Sequence, residues 1–255
     1  MYSFKNLLPL LAQYDIRALN LETPISDKPG AKWPDKKFNF QAPSSLARMI
    51  ARAGFDYAAL SNNHILDYGE AVMRDTLANL NTWGVRYSGV KGAPNPVIIE
   101  RGGKRIAFLS YMDLPLGLLP GGFDKHCEMW SGIARIEIAA AKSQADIVIV
   151  SMHWGVETKT AANDRQKKIA HEIINAGASV VWGHHPHVIQ EVERYKDGVI
   201  FYSLGNFIFS HLTPGITKGM IAGIEFDSRG KISAIRKHII NNDNYIVEYA
   251  PNVAK

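Results

Sequence analysis

The sequence contains only one cysteine, Cys127, among its 255 residues. A single thiol cannot form an internal disulfide bond, and it also excludes a zinc site built from several cysteines. Long apolar runs are absent too, since none approaches the roughly 18 residues that a membrane-spanning helix needs. The amino-terminal stretch MYSFKNLLPLLAQYD has a broken apolar pattern, typical of an amphipathic helix over residues 3–14 and not of a signal peptide. The sequence therefore predicts neither a disulfide framework nor a membrane anchor.

The sequence also lacks a concentrated patch of charge. The chain has 29 Lys and Arg against 24 Asp and Glu, a net charge of +5, and its basic residues are scattered along the sequence. No aromatic side chains alternate with them, so a nucleic acid is not expected as a partner. The mild positive surplus favours anionic partners such as phosphate esters and polyanions.

What the sequence does contain is an alternation of predicted strands and helices. DIVIVSMHW and SVVWGHH have the apolar character of buried strands, whereas SSLARMIARAG and NDRQKKIAHEIINAG begin with a polar residue and end at glycine, as helices do. Beyond about residue 188 the pattern predicts strands without helices. There are no repeats and no convincing linker. The pattern predicts an α/β fold with mixed sheets covered by helices, in one domain over residues 1–255.

Polar side chains recur where the predicted strands end. In open α/β sheets, binding groups lie at the carboxyl ends of strands, and here five strands end in carboxylate, amide, hydroxyl or imidazole groups. A mixed nitrogen and oxygen set without thiolates suits a divalent ion such as Mn, Zn or Fe. The residues at these strand ends are Asn20, Glu22, Asn62, Asn63, His64, His153, His184, His185, His187, Ser203 and Asn206.

The segment GHHPH is the densest part of this pattern. Pro186 fixes its own φ near −65° and stiffens the turn, so that a His-x-His pair can present both rings to one site. Taken singly, His153 fits a buried, hydrogen-bonded histidine and Glu22 fits an exposed carboxylate before a loop. The five strand ends taken together favour a shared metal site.

Six segments carry a resemblance to a known family: NLETPIS, FNFQAP, AGFDYAALSNNHILDYG, SMHWGVE, AGASVVWGHHPHVIQEVE and FYSLGNFIF. Over residues 15–210 the chain resembles the CapA family of poly-γ-glutamate (capsule) synthesis proteins, which is itself similar to the calcineurin-like metallophosphoesterases. The resemblance implies an αββα sandwich of two mixed sheets flanked by helices, with a metal centre at the strand ends. It also implies a role in making or exporting an anionic extracellular polymer.

The resemblance further implies individual roles. His64 is expected to protonate the leaving group and Asp67 to orient the ring of His64, because a carboxylate fixes the tautomer of an imidazole. In the GHHPH segment the spacing fits His185 and His187 best, with His184 as the alternative. The expected substrate contacts are Asn20, Asn62, Ser203 and Asn206. The implied ligands of one or two divalent ions are Glu22, as the bridging carboxylate, with Asn63, His153, His184, His185 and His187.

Two departures from the family pattern stand out. The family normally opens with a strand ending in Gly-Asp, whose aspartate holds the first metal, and the first 50 residues contain no such pair. Thr158 also stands where the family more often has an aromatic residue. Either the sequence is a truncated gene product or it is a variant with half of a binuclear site. In both cases one sheet is expected to lack a central strand, which exposes edge groups and apolar surface.

These observations predict a metal-dependent hydrolase that acts on a phosphoester or on a γ-glutamyl amide. The alternative is a non-catalytic subunit of a polymer synthesis or export complex, which holds the anionic polymer in a basic cleft beside membrane-bound synthase subunits. A third interpretation is an inactive fragment. Family members are usually anchored outside the cytoplasmic membrane by an amino-terminal segment, which this sequence does not display, so the compartment is left open.

Overall fold

The computed structural model describes residues 4–34, 36–119, 122–209, 217–243 and 246–249. Within these residues, helices separate the strands up to β7, apart from the consecutive strands β3, β4 and β5, and only strands follow β7. The elements are α1 (Leu8–Leu11), β1 (Ala18–Asn20), α2 (Ser45–Arg52), β2 (Tyr57–Ala59), α3 (Gly69–Thr82), β3 (Arg86–Ser88), β4 (Val97–Arg101), β5 (Lys104–Asp113), α4 (Gly132–Gln144), β6 (Ile147–Trp154), α5 (Asp164–Asn175), β7 (Val180–His184), β8 (Val192–Tyr195), β9 (Gly198–Phe201), β10 (Lys218–Phe226), β11 (Ile232–Asp243) and β12 (Ile246–Tyr249).

A six-stranded mixed sheet forms the first layer, in the order β4-β5-β6-β7-β9-β8. Strands β5, β6, β7 and β9 are parallel, and the antiparallel strands β4 and β8 form the two edges. The central strands are apolar on both faces because both faces are covered. On one face, Val150 of β6 packs in a buried cluster with Ile138 of α4 and Ile173 of α5.

Two smaller sheets form the second layer against the other face. One is parallel, β1-β2-β3, and the other is antiparallel, β10-β11-β12. Tyr57 of β2 and Met220 of β10 share a buried cluster with Phe108 and Phe201 of the large sheet. The mixed α/β class, with sheets flanked by helices, is therefore confirmed. The described residues divide into three hydrogen-bonded sheets instead of the expected two, and only the largest is mixed.

A cleft of about 1540 Å³ separates β1 from β10 within the second layer. Strand β1 pairs with β2 on one side, and no described strand pairs with its other side. The cleft is walled by apolar side chains such as Phe108, Trp182 and Phe201 from the large sheet and Met49 from α2. The free strand edge and the apolar surface expected from the sequence are thus present in the described part of the chain.

The amino-terminal helix is the main error in the predicted elements. The predicted helix over residues 3–14 is reduced to one turn, Leu8–Leu11, which has Pro9 in its first turn. Proline suits a helix start, but the following residues leave the helix because tertiary contacts prevail over the local pattern. The Tyr14 hydroxyl, for example, lies 2.7 Å from Nε2 of His238 in β11. Strands β3 and β12 were not predicted, since three or four residues are too few for a recognisable alternation.

None of the helices in the described residues combines the length and the apolar character needed to cross a lipid bilayer.

Gly183 of β7 is packed so closely that there is no room for a side chain. A Cβ atom there would lie 2.0 Å from the carbonyl oxygen of Tyr202 and 2.5 Å from Nε1 of Trp154. We expect Gly183→Ala to lower the free energy of unfolding by about 1–3 kcal/mol, the usual cost of overpacking, as measured by urea denaturation. Gly117→Ala is the control, because its Cβ would meet no atom within 4 Å. Equal denaturation midpoints for the two variants would contradict the prediction.

Candidate metal centre

Three side chains from different strand ends meet beside the cleft. His153 lies near the end of β6 on the face that also carries Ile149, so it points toward the second layer. Its Nε2 atom is 2.8 Å from Oδ1 of Asn63, which follows β2, and 3.6 Å from Oε1 of Glu22, which follows β1. The structure therefore brings these three predicted ligands together although they are far apart in the sequence.

The GHHPH turn adds two imidazoles to this group. His185 has a φ of 94° and His187 a φ of 60°, both in the left-handed region that side chains other than glycine rarely adopt. His187 Nδ1 donates a hydrogen bond of 2.9 Å to Oδ1 of Asn206, which leaves its Nε2 free, 3.8 Å from Glu22 Oε1. Ligand atoms of Glu22, His153 and His185 all lie within 4.8 Å of one another. The backbone of this turn is thus bent so that its rings face the carboxylate.

His184 stands outside this group. It lies on the same face of β7 as Trp182, two residues earlier, and the two rings meet edge-on with centroids 5.0 Å apart. His185 follows directly in the turn, where its left-handed backbone redirects the side chain. The structure therefore brings His185 and His187, and not His184, into contact range of Glu22.

Several buried polar atoms at the site have no hydrogen-bond partner within the described part of the chain. They are Glu22 Oε1, His153 Nδ1, His184 Nε2 and His185 Nδ1. Buried polar atoms are normally paired, so a group of unpaired ones at one place needs an explanation. A bound cation would provide it, because oxygen and imidazole nitrogen are the donors that Mn, Zn and Fe accept.

The protonation states of the histidines also suit a cation. Burial, followed by the nearby imidazoles, lowers the pKa of His184 and of His185 to about 3. The same causes hold the pKa of His153 well below its ordinary value. All three rings are therefore neutral near pH 7, and a neutral imidazole is the form that can bind a metal ion. The residues present thus fit a divalent ion.

His64 and Asp67 form a pair next to this centre. His64 Nδ1 lies 2.7 Å from Asp67 Oδ2 and 3.0 Å from Lys36 Nζ. Asp67 is fully buried, and its Oδ2 also accepts a 2.7 Å hydrogen bond from the backbone N–H of Phe40. The ring of Phe40 packs on His64 with centroids 4.3 Å apart. The orientation of the His64 ring is thereby fixed.

Lys36 is a site residue that the sequence did not single out. Its Nζ atom donates to Asp67 Oδ1 at 2.5 Å and to the carbonyl oxygen of Asn63 at 2.7 Å. Burial lowers the pKa of Lys36, and the charge of Asp67 partly opposes that effect. The loop that precedes β2 and α2 therefore places the cationic side chain of Lys36 beside the His64–Asp67 pair. In the sequence, the only indication of this role is that Lys36 lies shortly before the FNFQAP motif.

The residues expected to contact substrate differ in their surroundings. Asn20 Nδ2 donates a 3.0 Å hydrogen bond to Glu22 Oε2, and Asn206 positions His187 as described. Asn62 is fully buried, donating to the backbone carbonyl of Leu21 at 2.8 Å and accepting from the backbone N–H of His64 at 3.1 Å. Ser203 is fully buried as well. These contacts indicate that Asn62 and Ser203 support the ligands and the turn instead of contacting the substrate directly.

Comparison with known proteins agrees with the geometry. The family model described as bacterial capsule synthesis protein PGA_cap matches residues 1–211. The capsule biosynthesis protein CapA of Bacillus anthracis is 33% identical over 220 residues, which cover 82% of this chain and 54% of that protein. The PGA biosynthesis protein CapA of Bacillus subtilis is 34% identical over 222 residues, covering 81% of this chain and 56% of that protein. The chain thus spans about half the length of these curated relatives.

Solved structures agree at the level of the fold. A phosphatase of Mycoplasma pneumoniae superposes with a TM-score of 0.63 at 14% identity, covering 95% of this chain and 88% of that one. A hypothetical protein of Thermus thermophilus gives a TM-score of 0.64 at 16% identity, covering 94% and 93%. The chain therefore shares its fold with these two proteins. The match of the family model over residues 1–211 and the identities with the two Bacillus relatives show that the chain belongs to the bacterial capsule synthesis protein PGA_cap family.

Proposed function

We propose that this protein is a metal-dependent hydrolase that acts in the biosynthesis or processing of a poly-γ-glutamate capsule. The observation that carries the proposal is that ligand atoms of Glu22, His153 and His185 lie within 4.8 Å of one another, and that Glu22 Oε1 and His185 Nδ1 are buried without a partner among the described residues. The capsule and PGA biosynthesis roles in the names of the two Bacillus relatives support the biological context.

The proposed chemistry divides between a cation and the chain. Glu22, Asn63, His153, His185 and His187 would hold one or two divalent ions. Such an ion supplies Lewis-acid polarisation and acidifies a water molecule.

Side chains of the protein hold and transfer the proton that the leaving group needs. In its protonated form, held by Asp67 through Nδ1, His64 can donate the Nε2 proton to the departing oxygen or nitrogen, which leaves the ring neutral. Lys36 balances the buried charge of Asp67 and ties the loop to the backbone at Asn63. Phe40 covers one face of the His64 ring, which limits its rotation and its access to water.

The expected substrate is an anionic phosphoester or a γ-glutamyl amide of the polymer itself. The net charge of +5 favours an anionic substrate over a neutral one. Synthase subunits at the membrane are the proposed partners, because a processing enzyme acts where the polymer is made. The non-catalytic alternative keeps the same anionic ligand but involves no bond cleavage.

Metal removal tests the proposal. We expect turnover of a generic phosphoester, or of a γ-glutamyl oligomer, to disappear after dialysis against a chelator and to return on addition of Mn, Zn or Fe. A coupled assay for released phosphate or for new amino groups measures it. Turnover that is equal with and without chelator would rule out the metal-dependent mechanism. Oligomer binding without any turnover would favour the non-catalytic subunit.

A further inference from the structure

A second group of ligand atoms lies on the outer side of the centre. Ligand atoms of Glu157, His185 and His187 are all within 4.8 Å of one another. Glu157 comes from the loop that follows β6, three residues after the strand ends, and its side chain is exposed. It lies in SMHWGVE, where the sequence had drawn attention to His153 alone.

The loop that carries Glu157 is tied directly to the histidine turn. The backbone N–H of Thr158 donates a 2.8 Å hydrogen bond to the carbonyl oxygen of Pro186, which lies between the two histidines. Thr158 has a φ of 65°, a conformation that a β-branched residue adopts only when its surroundings impose it. Three side-chain-bearing residues, Thr158, His185 and His187, are thus held in left-handed backbone within two loops that touch. Such strain concentrated at one place is typical of a site whose geometry matters.

The two carboxylates, of Glu22 and Glu157, differ in their exposure to solvent, since the side chain of Glu157 is exposed. Glu22 is the less accessible of the two, with its side chain 13% exposed. Nδ1 of His185, the residue common to both ligand groups, is buried and has no hydrogen-bond partner among the described residues.

We infer that Glu157 is the carboxylate ligand of a second, outer divalent-cation position that it forms with His187 and His185. This inference rests on the proposed function and deepens it. In this chain the second carboxylate comes from the loop after β6. The outer position is more open to water than the inner one, so it should bind its ion more weakly. A neutral imidazole can give its one lone pair to only one ion at a time, so His185, which belongs to both groups, can ligate an ion at one position or the other, and occupancy of one position should alter the affinity of the other.

The test uses Mn²⁺ alone as the probe and the full chain as the protein. We expect isothermal titration calorimetry, with electron paramagnetic resonance of the bound Mn²⁺, to show two binding events in the wild type. Glu157→Gln should weaken the weaker event at least about 10-fold, in line with the loss of a metal-site partner, and leave the tighter event in place. Glu100→Gln, which removes the same charge from a carboxylate on β4, is the control and should change neither event.

Each outcome separates the inference from the proposed function. Loss of the weaker event in Glu157→Gln alone supports the outer position. Identical titrations of Glu157→Gln and wild type overturn it, even if turnover still depends on metal. One binding event in the wild type that is unchanged in Glu157→Gln also overturns it and leaves a mononuclear hydrolase. Absence of Mn²⁺ binding in the wild type overturns both the inference and the proposed function.

Discussion

His153→Ala should weaken the tighter divalent-ion binding by at least about 100-fold, since changes even to groups that only support a ligand cost 10- to 100-fold. His153 is buried to 1% exposure, and its Nε2 faces both Asn63 and Glu22, so no neighbouring side chain can take its place. Titration with Zn²⁺ or Mn²⁺ and elemental analysis of the purified protein measure the effect. Turnover should fall with metal content.

The control for this substitution is His126→Ala. His126 belongs to neither ligand group; its Nδ1 lies 3.9 Å from Glu70 Oε1, and its side chain is 31% exposed. That variant should bind metal as the wild type does. If His153→Ala retained full metal content while remaining folded by circular dichroism, the centre would have to lie elsewhere.

His64→Ala should reduce kcat by about 10²- to 10⁴-fold, the range that general acid catalysis contributes. The reduction should depend on the leaving group, because a good leaving group such as p-nitrophenolate departs without a proton and an alkyl alcohol does not. Comparing kcat for an aryl and an alkyl phosphoester measures this difference. Metal affinity should stay unchanged, since His64 is outside both ligand groups.

Asp67→Asn provides a second variant for the same role. An amide at this position lacks the negative charge of the carboxylate and cannot replace all of its contacts with Lys36, Phe40 and His64, so the orientation and the protonated form of His64 lose their support. We expect the same leaving-group dependence as for His64→Ala. An equal loss for aryl and alkyl substrates in both variants would argue that the pair acts by supporting the fold and not by proton donation.

Much of this arrangement could be predicted from local patterns. The apolar runs that become β6 and β7 and the polar groups at their ends mark the edge where His153 and the histidine turn lie. A short, continuous apolar run identifies such strands because each is buried on both faces, and the order of motifs then indicated the family. The one-turn α1 was mispredicted since its apolar pattern is real but its packing partners, such as His238, come from the other end of the chain.

Other parts of the site depend on long-range geometry that no local pattern contains. Lys36 reaches the His64–Asp67 pair from a loop about 30 residues earlier, and a lysine in such a loop normally faces solvent. The choice among the three histidines of GHHPH depends on the backbone of His185, whose positive φ cannot be deduced from its residue type. Glu157 is held beside the turn by contacts such as the hydrogen bond between Thr158 and Pro186.

The left-handed conformations of His185 and His187 link the folding equilibrium to ion binding. Each such residue costs about 1–3 kcal/mol in the native state, a cost that the hydrogen bonds of the turn with Thr158 and Asn206 help to offset. An ion bound only by the native state, at about 100 times its Kd, returns about 2.7 kcal/mol. The melting temperature therefore reports on cation occupancy, and it can rank metals for this protein before any substrate is known.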